Sequence, residues 1–256
     1  MKKVFVVDQL DNRNKIVAKL LIDNNFTCIS LEDFRRKEPD LIHHIFVLAP
    51  STKLDEDDIS KIPCESTVFY FLLDNARVLS LKQKKCDLIC VMKNALYVAE
   101  NSKLTAEGAL KYVIENTDLS LEHQNILVLG YGNLGKALAN ILGKLSLNFH
   151  IATANNEELE LARSKGYSAI NIHDTMFDLA SFDTVINTIP AKIFEDNITL
   201  KANAYVLELA SNIYPFDYTS PMFEHIKYTI AKGVPGVTSK LSSGKLLFDT
   251  ILAYIK

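Results

Sequence analysis

The amino-acid sequence predicts an α/β protein with two domains. The chain has 256 residues, enough for two domains of ordinary size. Short apolar runs alternate along it with segments of helical periodicity, which is typical of parallel sheets covered by helices. A glycine-rich stretch at residues 130–135 directly follows one of these runs. Together these observations predict a smaller N-terminal α/β domain, followed by a second one that carries the glycine-rich stretch.

The composition limits the classes of partner. The chain is 48% apolar and 23% charged, with a net charge of −3 and no basic stripe, so neither nucleic acid nor an anionic membrane is expected as a partner. Asp8 interrupts the first apolar run, which favours neither a signal peptide nor a spanning helix, and we expect a cytoplasmic protein. The four cysteines lack zinc-site spacing, so no metal site is expected.

The N-terminal domain is expected over residues 1–104. Apolar runs predict strands at residues 3–7, 45–48, 68–73 and 88–92. Apolar side chains from Ile16 to Leu21 share one side of a segment after the first strand, which predicts a helix. This order indicates a flavodoxin-like α/β domain.

A connecting helix is expected over residues 105–122. Thr105 can cap it, and the apolar positions that follow recur at helical spacing, at Ala109, Leu110, Val113 and Ile114. The polar stretch at residues 115–124 then indicates a domain boundary.

The second domain is expected over residues 123–256. Apolar runs predict strands at residues 126–129, 149–153, 184–188, 205–209 and 228–230, with helical segments between them. Right-handed crossovers would wind such a series into a doubly wound sheet. A last helix at residues 240–255 is included here, although it could pack back onto the first half of the chain.

The glycine-rich stretch is a G-x-G-x-x-G loop in the context of a strand and a helix. In this context Gly130 permits a tight turn, Gly132 lets a pyrophosphate approach the backbone, and Gly135 lets helix and strand pack closely. Asn133 and Leu134 open the helix, whose N-terminal N–H groups favour phosphates. The sequence therefore predicts a Rossmann domain that binds a dinucleotide, although a glycine turn can occur in such a fold without a ligand.

The end of the second Rossmann strand bears on the choice of cofactor. An NAD site usually has an Asp or Glu about 20 residues after the loop, whereas Thr153 and Asn155 stand here. Without a carboxylate to repel a 2′-phosphate, and with side chains that could donate hydrogen bonds, the sequence favours NADP, with NAD as the other possibility. The same residues are also ordinary turn residues.

Four motifs around the glycine loop resemble one family. Residues 101–108 (N-S-K-L-T-A-E-G) resemble an N-S-I-P-T-x-E-G segment, and residues 186–190 (I-N-T-I-P) match a strand end. Residues 209–211 (L-A-S) resemble a D-L-A-S turn, and residues 233–236 (G-V-P-G) a G-L-P-G loop. In this order they resemble the A subunit of dipicolinate synthase from spore-forming bacteria. The chain departs from the family at Ala154, where an arginine is usual, and at residues 239–244, where A-P-x-T-A-G is usual.

The resemblance implies an NAD(P)-dependent oxidoreductase of sporulation, with the domain at residues 1–104 on the substrate side. Such an enzyme oxidises a dihydrodipicolinate-type cyclic dicarboxylate to dipicolinate and works with a separate B subunit. The strand ends at Thr188, Ile189, Pro190 and Ser211 would face the nicotinamide. Ser211 could bind a substrate carboxylate or merely hold a turn.

Two further catalytic candidates lie in the first motif of the resemblance. Glu107 is the best-placed carboxylate for a proton role, although an acid in a first helical turn also complements the helix dipole. Thr105 could act beside it or only cap the helix.

Two other functions fit the same sequence. One is a related dehydrogenase that acts on a shikimate-like or 2-hydroxy acid. The other is a dinucleotide-binding sensor or assembly protein without catalysis, which the altered residues 239–243 would permit. Self-association into a homo-oligomer is compatible with all three.

Overall fold

A computed structural model describes residues 3–36, 44–174, 177–194 and 198–255 of the chain. The strands in these ranges are β1 (Val4–Val7), β2 (Thr27–Ser30), β3 (His44–Val47), β4 (Thr67–Tyr70), β5 (Asp87–Cys90), β6 (Ile126–Leu129), β7 (Phe149–Thr153), β8 (Ser168–Asn171), β9 (Thr184–Asn187), β10 (Tyr205–Glu208) and β11 (Lys227–Ile230). The α-helices are α1 (Asn12–Asp23), α2 (Leu31–Arg36), α3 (Glu56–Lys61), α4 (Asn75–Gln83), α5 (Ala95–Asn116), α6 (Asn133–Lys144), α7 (Asn156–Ser164), α8 (Val234–Thr238) and α9 (Lys240–Ile255). No helix within the described ranges is long and apolar enough to cross a membrane.

The first compact unit comprises Met1–Asn101 and Pro235–Lys256. Its five strands are parallel in the order β2-β1-β3-β4-β5, which is the flavodoxin-like order. Side chains alternate between the faces of the sheet. Phe5 therefore packs with α1 and α9 on one face, and Val6 packs with α2 and α4 on the other. The predicted flavodoxin-like α/β fold of the first half is confirmed.

The second compact unit comprises Ser102–Val234. Its six parallel strands run β11-β10-β9-β6-β7-β8, which is the order of a doubly wound dinucleotide-binding sheet. The order reverses between β6 and β9, and ligands of such sheets bind at the carboxyl ends of these two strands. Val128 packs against α5 and α6 on one face of the sheet, whereas Leu127 packs against a phenylalanine-rich core on the other. The predicted Rossmann fold is confirmed.

The C-terminal helix belongs to the first unit. Helix α9 packs along α1, and at Gly244 the approach is so close that an added Cβ would lie 2.5 Å from the Cβ atom of Ile16. The apolar side chains of α9, including Leu247, are buried in the core of the first sheet. The second unit therefore ends at Val234, and the expected domain at residues 123–256 is corrected at its C-terminal end.

Helix α5 begins at Ala95, well before the start that the sequence predicts. The side-chain oxygen of Asn94 accepts a hydrogen bond from the backbone N–H of Tyr97 at 2.8 Å, which is the geometry of an N-cap. The Tyr97 side chain is 1% exposed, so burial fixes this first turn in a helical conformation. Thr105 is therefore inside the helix, and its predicted role as the N-cap is wrong. The expected connecting helix at residues 105–122 is replaced by α5, which contains the boundary between the units.

We expect Asn94→Ala to lower the free energy of unfolding by about 1 kcal/mol, because the N–H of Tyr97 loses its cap. Denaturant unfolding measures this change. The neighbouring exposed residue supplies the control, since Lys93→Ala should change the free energy by less than about 0.5 kcal/mol. Equal effects of the two substitutions would contradict the cap.

Candidate functional site

A cavity of about 500 Å³ lies at the carboxyl ends of β6, β7 and β9, within the second unit. It gathers most of the cofactor-binding residues that the sequence predicts. Its lining residues are Gly130, Tyr131, Gly132, Asn133, Leu134, Thr153, Ala154, Asn155, Glu158, Ile172, His173, Thr188, Ile189, Pro190, Ala191, Lys192 and Ile193.

Each glycine of the loop has a different geometry. Gly130 has a φ of +93°, and an added Cβ would lie 2.6 Å from the Thr188 hydroxyl oxygen. An added Cβ on Gly135 would lie 2.1 Å from the backbone oxygen of Gly130, so α6 touches the end of β6 there. Around Gly132, no described residue other than its chain neighbours has an atom within 4 Å of an added Cβ, so this position faces open space.

Helix α6 presents its N-terminus to the cavity. Its N-cap is Gly132, which has no side chain to accept from the first turn. The N–H groups of this turn are available to a ligand, and the helix dipole favours a negative one. Lys192, from the loop after β9, adds a cation to the cavity lining. The arrangement is suited to an anion such as a phosphate.

The loop after β9 is held in place by Asn187. The side chain of Asn187 accepts from the backbone N–H of Ile189 and donates to its carbonyl oxygen, at 3.0 Å in both cases. The Thr188 hydroxyl donates to the carbonyl oxygen of Leu129 at 2.7 Å. These bonds fix Thr188 and Ile189 against the glycine loop, directly before Pro190.

Sequence reasoning missed Glu208, which holds Asn187. This carboxylate is completely buried at the end of β10, and its oxygens accept from Asn187 Nδ2 at 2.8 and 3.0 Å. It also accepts from the Ala210 N–H at 2.7 Å and the Tyr218 hydroxyl at 3.1 Å. Burial raises the pKa of Glu208, although these hydrogen bonds act to lower it. Its position directly before the Leu209 motif is the sequence signal that could have revealed it.

Glu158 was also missed, and it changes the interpretation of the ribose position. Its Oε2 accepts from the Thr153 hydroxyl at 2.7 Å and from the Tyr131 N–H at 3.3 Å. The end of β7 itself carries no carboxylate, as the sequence indicates, but α7 brings the carboxylate of Glu158 back to this end of the strand. In this arrangement the Thr153 hydroxyl donates to Glu158 rather than to a ligand. Asn155 caps α7, accepting from the N–H groups of Glu157 and Glu158 at 2.9 and 3.2 Å.

The catalytic candidates are not among the residues that line this cavity. Ser211 is exposed in the turn after β10, and Glu107 is exposed on α5, beyond Thr105 in the same helix. Glu107 is in the middle of α5 rather than in its first turn, so the proposed interaction with the helix dipole does not apply. Their roles stay predictions.

A second cluster in the first unit joins the start of α1 to Gly236 of the G-V-P-G motif. Arg13 forms a bidentate ion pair with Asp11, at 3.0 Å from Nε and 2.7 Å from Nη2. Asn12 donates to the carbonyl oxygen of Gly236 at 3.1 Å, and an added Cβ on Gly236 would lie 3.2 Å from Asp11. Burial acts to raise the pKa of Asp11, but the bonds and charge of Arg13 outweigh it and lower that pKa.

Comparison with known proteins shows what the chain is similar to. No protein-family model matches the chain. A curated relative, the A subunit of dipicolinate synthase from Bacillus subtilis (strain 168), is 23% identical over 201 residues, which cover 77% of this chain and 67% of the relative.

Solved structures agree with this likeness. The A subunit of dipicolinate synthase from Bacillus halodurans matches with a TM-score of 0.85 and 20% identity, over 99% of this chain and 97% of that one. Its counterpart from Bacillus subtilis gives 0.83 and 19%, over 99% and 95%. NAD-dependent formate dehydrogenase from Staphylococcus aureus, in complex with NAD, gives 0.59 and 14%, over 100% and 94%. The predicted likeness is therefore confirmed, since the chain is similar to the A subunit of dipicolinate synthase in both sequence and fold.

Proposed function

We propose that the chain binds a nicotinamide dinucleotide in the cavity beside Gly132 and uses it to oxidise a dihydrodipicolinate-type cyclic dicarboxylate to dipicolinate. The open space at Gly132, in front of the uncapped N-terminus of α6, is the observation that carries the proposal. A pyrophosphate can approach the backbone there without meeting a side chain. The likeness to the A subunit of dipicolinate synthase supports the choice of substrate.

The residues of the cavity fit the parts of a dinucleotide. The N–H groups of Asn133 and Leu134 in the first turn of α6 suit the pyrophosphate. Ile172 and Ile189 contribute apolar side chains on which an adenine can pack. Glu158 supplies an acceptor near the glycine loop for ribose hydroxyls.

Oxidation of the dihydropyridine ring removes one hydride and one proton. When bound, the oxidised nicotinamide supplies the hydride acceptor. The proton needs a base, and Glu107 is the proposed one because its carboxylate is exposed within the matched motif. Ser211, exposed just after β10, is proposed to donate to a substrate carboxylate, and Thr105 is the remaining candidate donor. A B subunit is the proposed partner, because the relative is by name the A subunit of its enzyme.

Thermal unfolding with NAD, NADH, NADP and NADPH tests the binding step. A dinucleotide that binds only the folded chain, supplied at a hundred times its Kd, should stabilise it by about 2.7 kcal/mol. We expect a higher Tm with at least one of the four. The same concentrations of inorganic pyrophosphate are the control for a nonspecific anion effect. If none of the four raises Tm, the proposed function is wrong.

Absorbance of the reduced nicotinamide tests the reaction. In a mixture of dihydrodipicolinate and oxidised dinucleotide, the absorbance of the reduced nicotinamide should increase only when the chain is present. The assay is run both without and with an added B subunit. Tight binding without any reduction would favour a non-catalytic dinucleotide-binding protein. Reduction only with a 2-hydroxy acid or a shikimate-like substrate would favour a related dehydrogenase.

A further inference from the structure

The Glu158 side chain does not cap helix α7, although its position is one from which a glutamate often does. It is the third residue of the helix after the N-cap Asn155, where a glutamate side chain commonly returns to the backbone N–H of the cap residue. In this chain the N–H of Asn155 donates instead to the Thr153 hydroxyl oxygen, at 3.3 Å. The Glu158 carboxylate is thus free of helix capping and reaches the glycine loop.

Two hydrogen bonds fix this carboxylate at the lining of the cavity. Both the Thr153 hydroxyl and the Tyr131 N–H donate to Oε2, at 2.7 and 3.3 Å. Oε1 accepts from neither of them, so one carboxylate oxygen is held while the other is available to a ligand. Tyr131 lies between the first two glycines of the loop, which places the carboxylate beside the region that a dinucleotide's pyrophosphate and adenosine ribose would occupy.

A carboxylate at this place accepts hydrogen bonds from ribose hydroxyls and repels a phosphate on the same ribose. An unmodified ribose offers two hydroxyl donors, whereas a 2′-phosphate would bring negative charge next to a fixed carboxylate. The Thr153 hydroxyl donates to Glu158, so a phosphate would have to compete with that carboxylate for it. Lys192 is a cation of the cavity lining that could oppose this repulsion, but it follows Pro190 in a different loop, and its charge also acts on Asp217.

We propose that Glu158 binds the adenosine ribose hydroxyls and makes the chain select NAD(H) over NADP(H). This proposal rests on the proposed function, since it concerns the same dinucleotide. It reverses the preference for NADP that the end of β7 suggests in the sequence. A residue of α7 thereby supplies the acid that is absent from the strand end.

Nicotinamide fluorescence of the full chain tests the proposal, because NADH and NADPH give the same signal and differ only at the ribose. Wild-type protein should bind NADH about tenfold or more tightly than NADPH. Glu158→Gln removes the charge and keeps an acceptor for Thr153 and Tyr131, so it should reduce this ratio by about tenfold. Glu157→Gln removes the same charge from the exposed neighbouring side chain and should leave the ratio within about twofold.

A second measurement needs no variant. Adenosine 5′-phosphate should displace NADH from wild-type protein at a lower concentration than adenosine 2′,5′-bisphosphate does. A preference for NADPH, an unchanged ratio in Glu158→Gln, or better displacement by the 2′,5′-bisphosphate would each overturn the role of Glu158 while leaving the proposed function intact. If neither dinucleotide binds to wild-type protein, the proposed function fails and this inference fails with it.

Discussion

Adding a single methyl group to the glycine loop is expected to destabilise the fold strongly at one position and to weaken ligand binding strongly at another. In Gly135→Ala the new Cβ would lie 2.1 Å from the backbone oxygen of Gly130 and 2.8 Å from its carbonyl carbon. Neither atom can move without displacing the end of β6. We expect the free energy of unfolding to fall by about 3 kcal/mol or more, as for other overpacked sites in a rigid core.

Gly132→Ala is expected to behave in the opposite way. Apart from its chain neighbours, no residue in the described part of the chain has an atom within 4 Å of its added Cβ, and its φ of −70° is one that alanine adopts readily. The cost to stability should not exceed about 1 kcal/mol, which is the ordinary difference between glycine and alanine at an N-cap. The methyl group would fill the space proposed for the pyrophosphate, so affinity for NADH should fall about a hundredfold, or about 2.7 kcal/mol.

The two variants control each other, because each adds one carbon to the same loop. Urea unfolding gives the stability of both, and nicotinamide fluorescence gives the affinity of whichever remains folded. Wild-type affinity in Gly132→Ala would show that the dinucleotide, if bound, lies elsewhere. Wild-type stability in Gly135→Ala would contradict the close contact between α6 and β6.

The second unit could be predicted from sequence because its signals are local and reinforce one another. The apolar run at β6, the glycine loop and the periodic helix α6 are contiguous in the chain. Once β6 and β9 are taken as parallel neighbours, Gly130 and Thr188 must meet, because their strands end at the same edge of the sheet. The contact between Gly130 and Thr188 could therefore be predicted although the two residues are far apart in the sequence.

The missed elements are those whose outcome depends on packing. Strand β2 lies at an edge of the first sheet and β8 at an edge of the second. Most of their side chains are half-buried, and therefore neither strand has the apolar run that marks a buried strand in the sequence. Asn94 and Thr105 are both residue types that cap helices, and only the burial of Tyr97 decides between them.

The direction in which the Glu158 side chain turns could not be predicted from the sequence either. It lies beside Glu157 and close to Glu160 in the same helix. All three acids suit the solvent-facing side of a helix, and both neighbours are exposed. Only the approach of α7 to the glycine loop shows that Glu158 turns towards Tyr131 and Thr153. The usual criterion for an NAD site, an Asp or Glu at the end of the second strand, therefore misses Glu158, on which the proposed preference for NAD(H) rests.

Removing the buried carboxylate of Glu208 is expected to be among the most destabilising single changes in the second unit. In Glu208→Ala the amide of Asn187, the N–H of Ala210 and the hydroxyl of Tyr218 lose their common acceptor inside the protein. Buried donors without a partner are costly, and we expect a loss of about 3 kcal/mol or more in the free energy of unfolding. Glu224→Ala, at an exposed glutamate of the same unit, is the control and should cost less than about 0.5 kcal/mol.

Glu208→Gln separates the charge of this side chain from its hydrogen bonds. Burial raises the pKa of Glu208 above its ordinary value of 4.5, so the folded chain holds this proton to a higher pH than the unfolded chain does. The resulting stabilisation is complete below the ordinary pKa and is lost as the pH rises through the raised one. Glutamine does not titrate, so the stability of Glu208→Gln relative to wild-type protein should increase as the pH rises above about 4.5. Urea unfolding of both proteins across this range measures the difference, and a difference that stays constant with pH would show that the pKa of Glu208 is not raised.

Because Asn187 joins Glu208 to the loop at Ile189, we also expect both substitutions to weaken the binding of NADH.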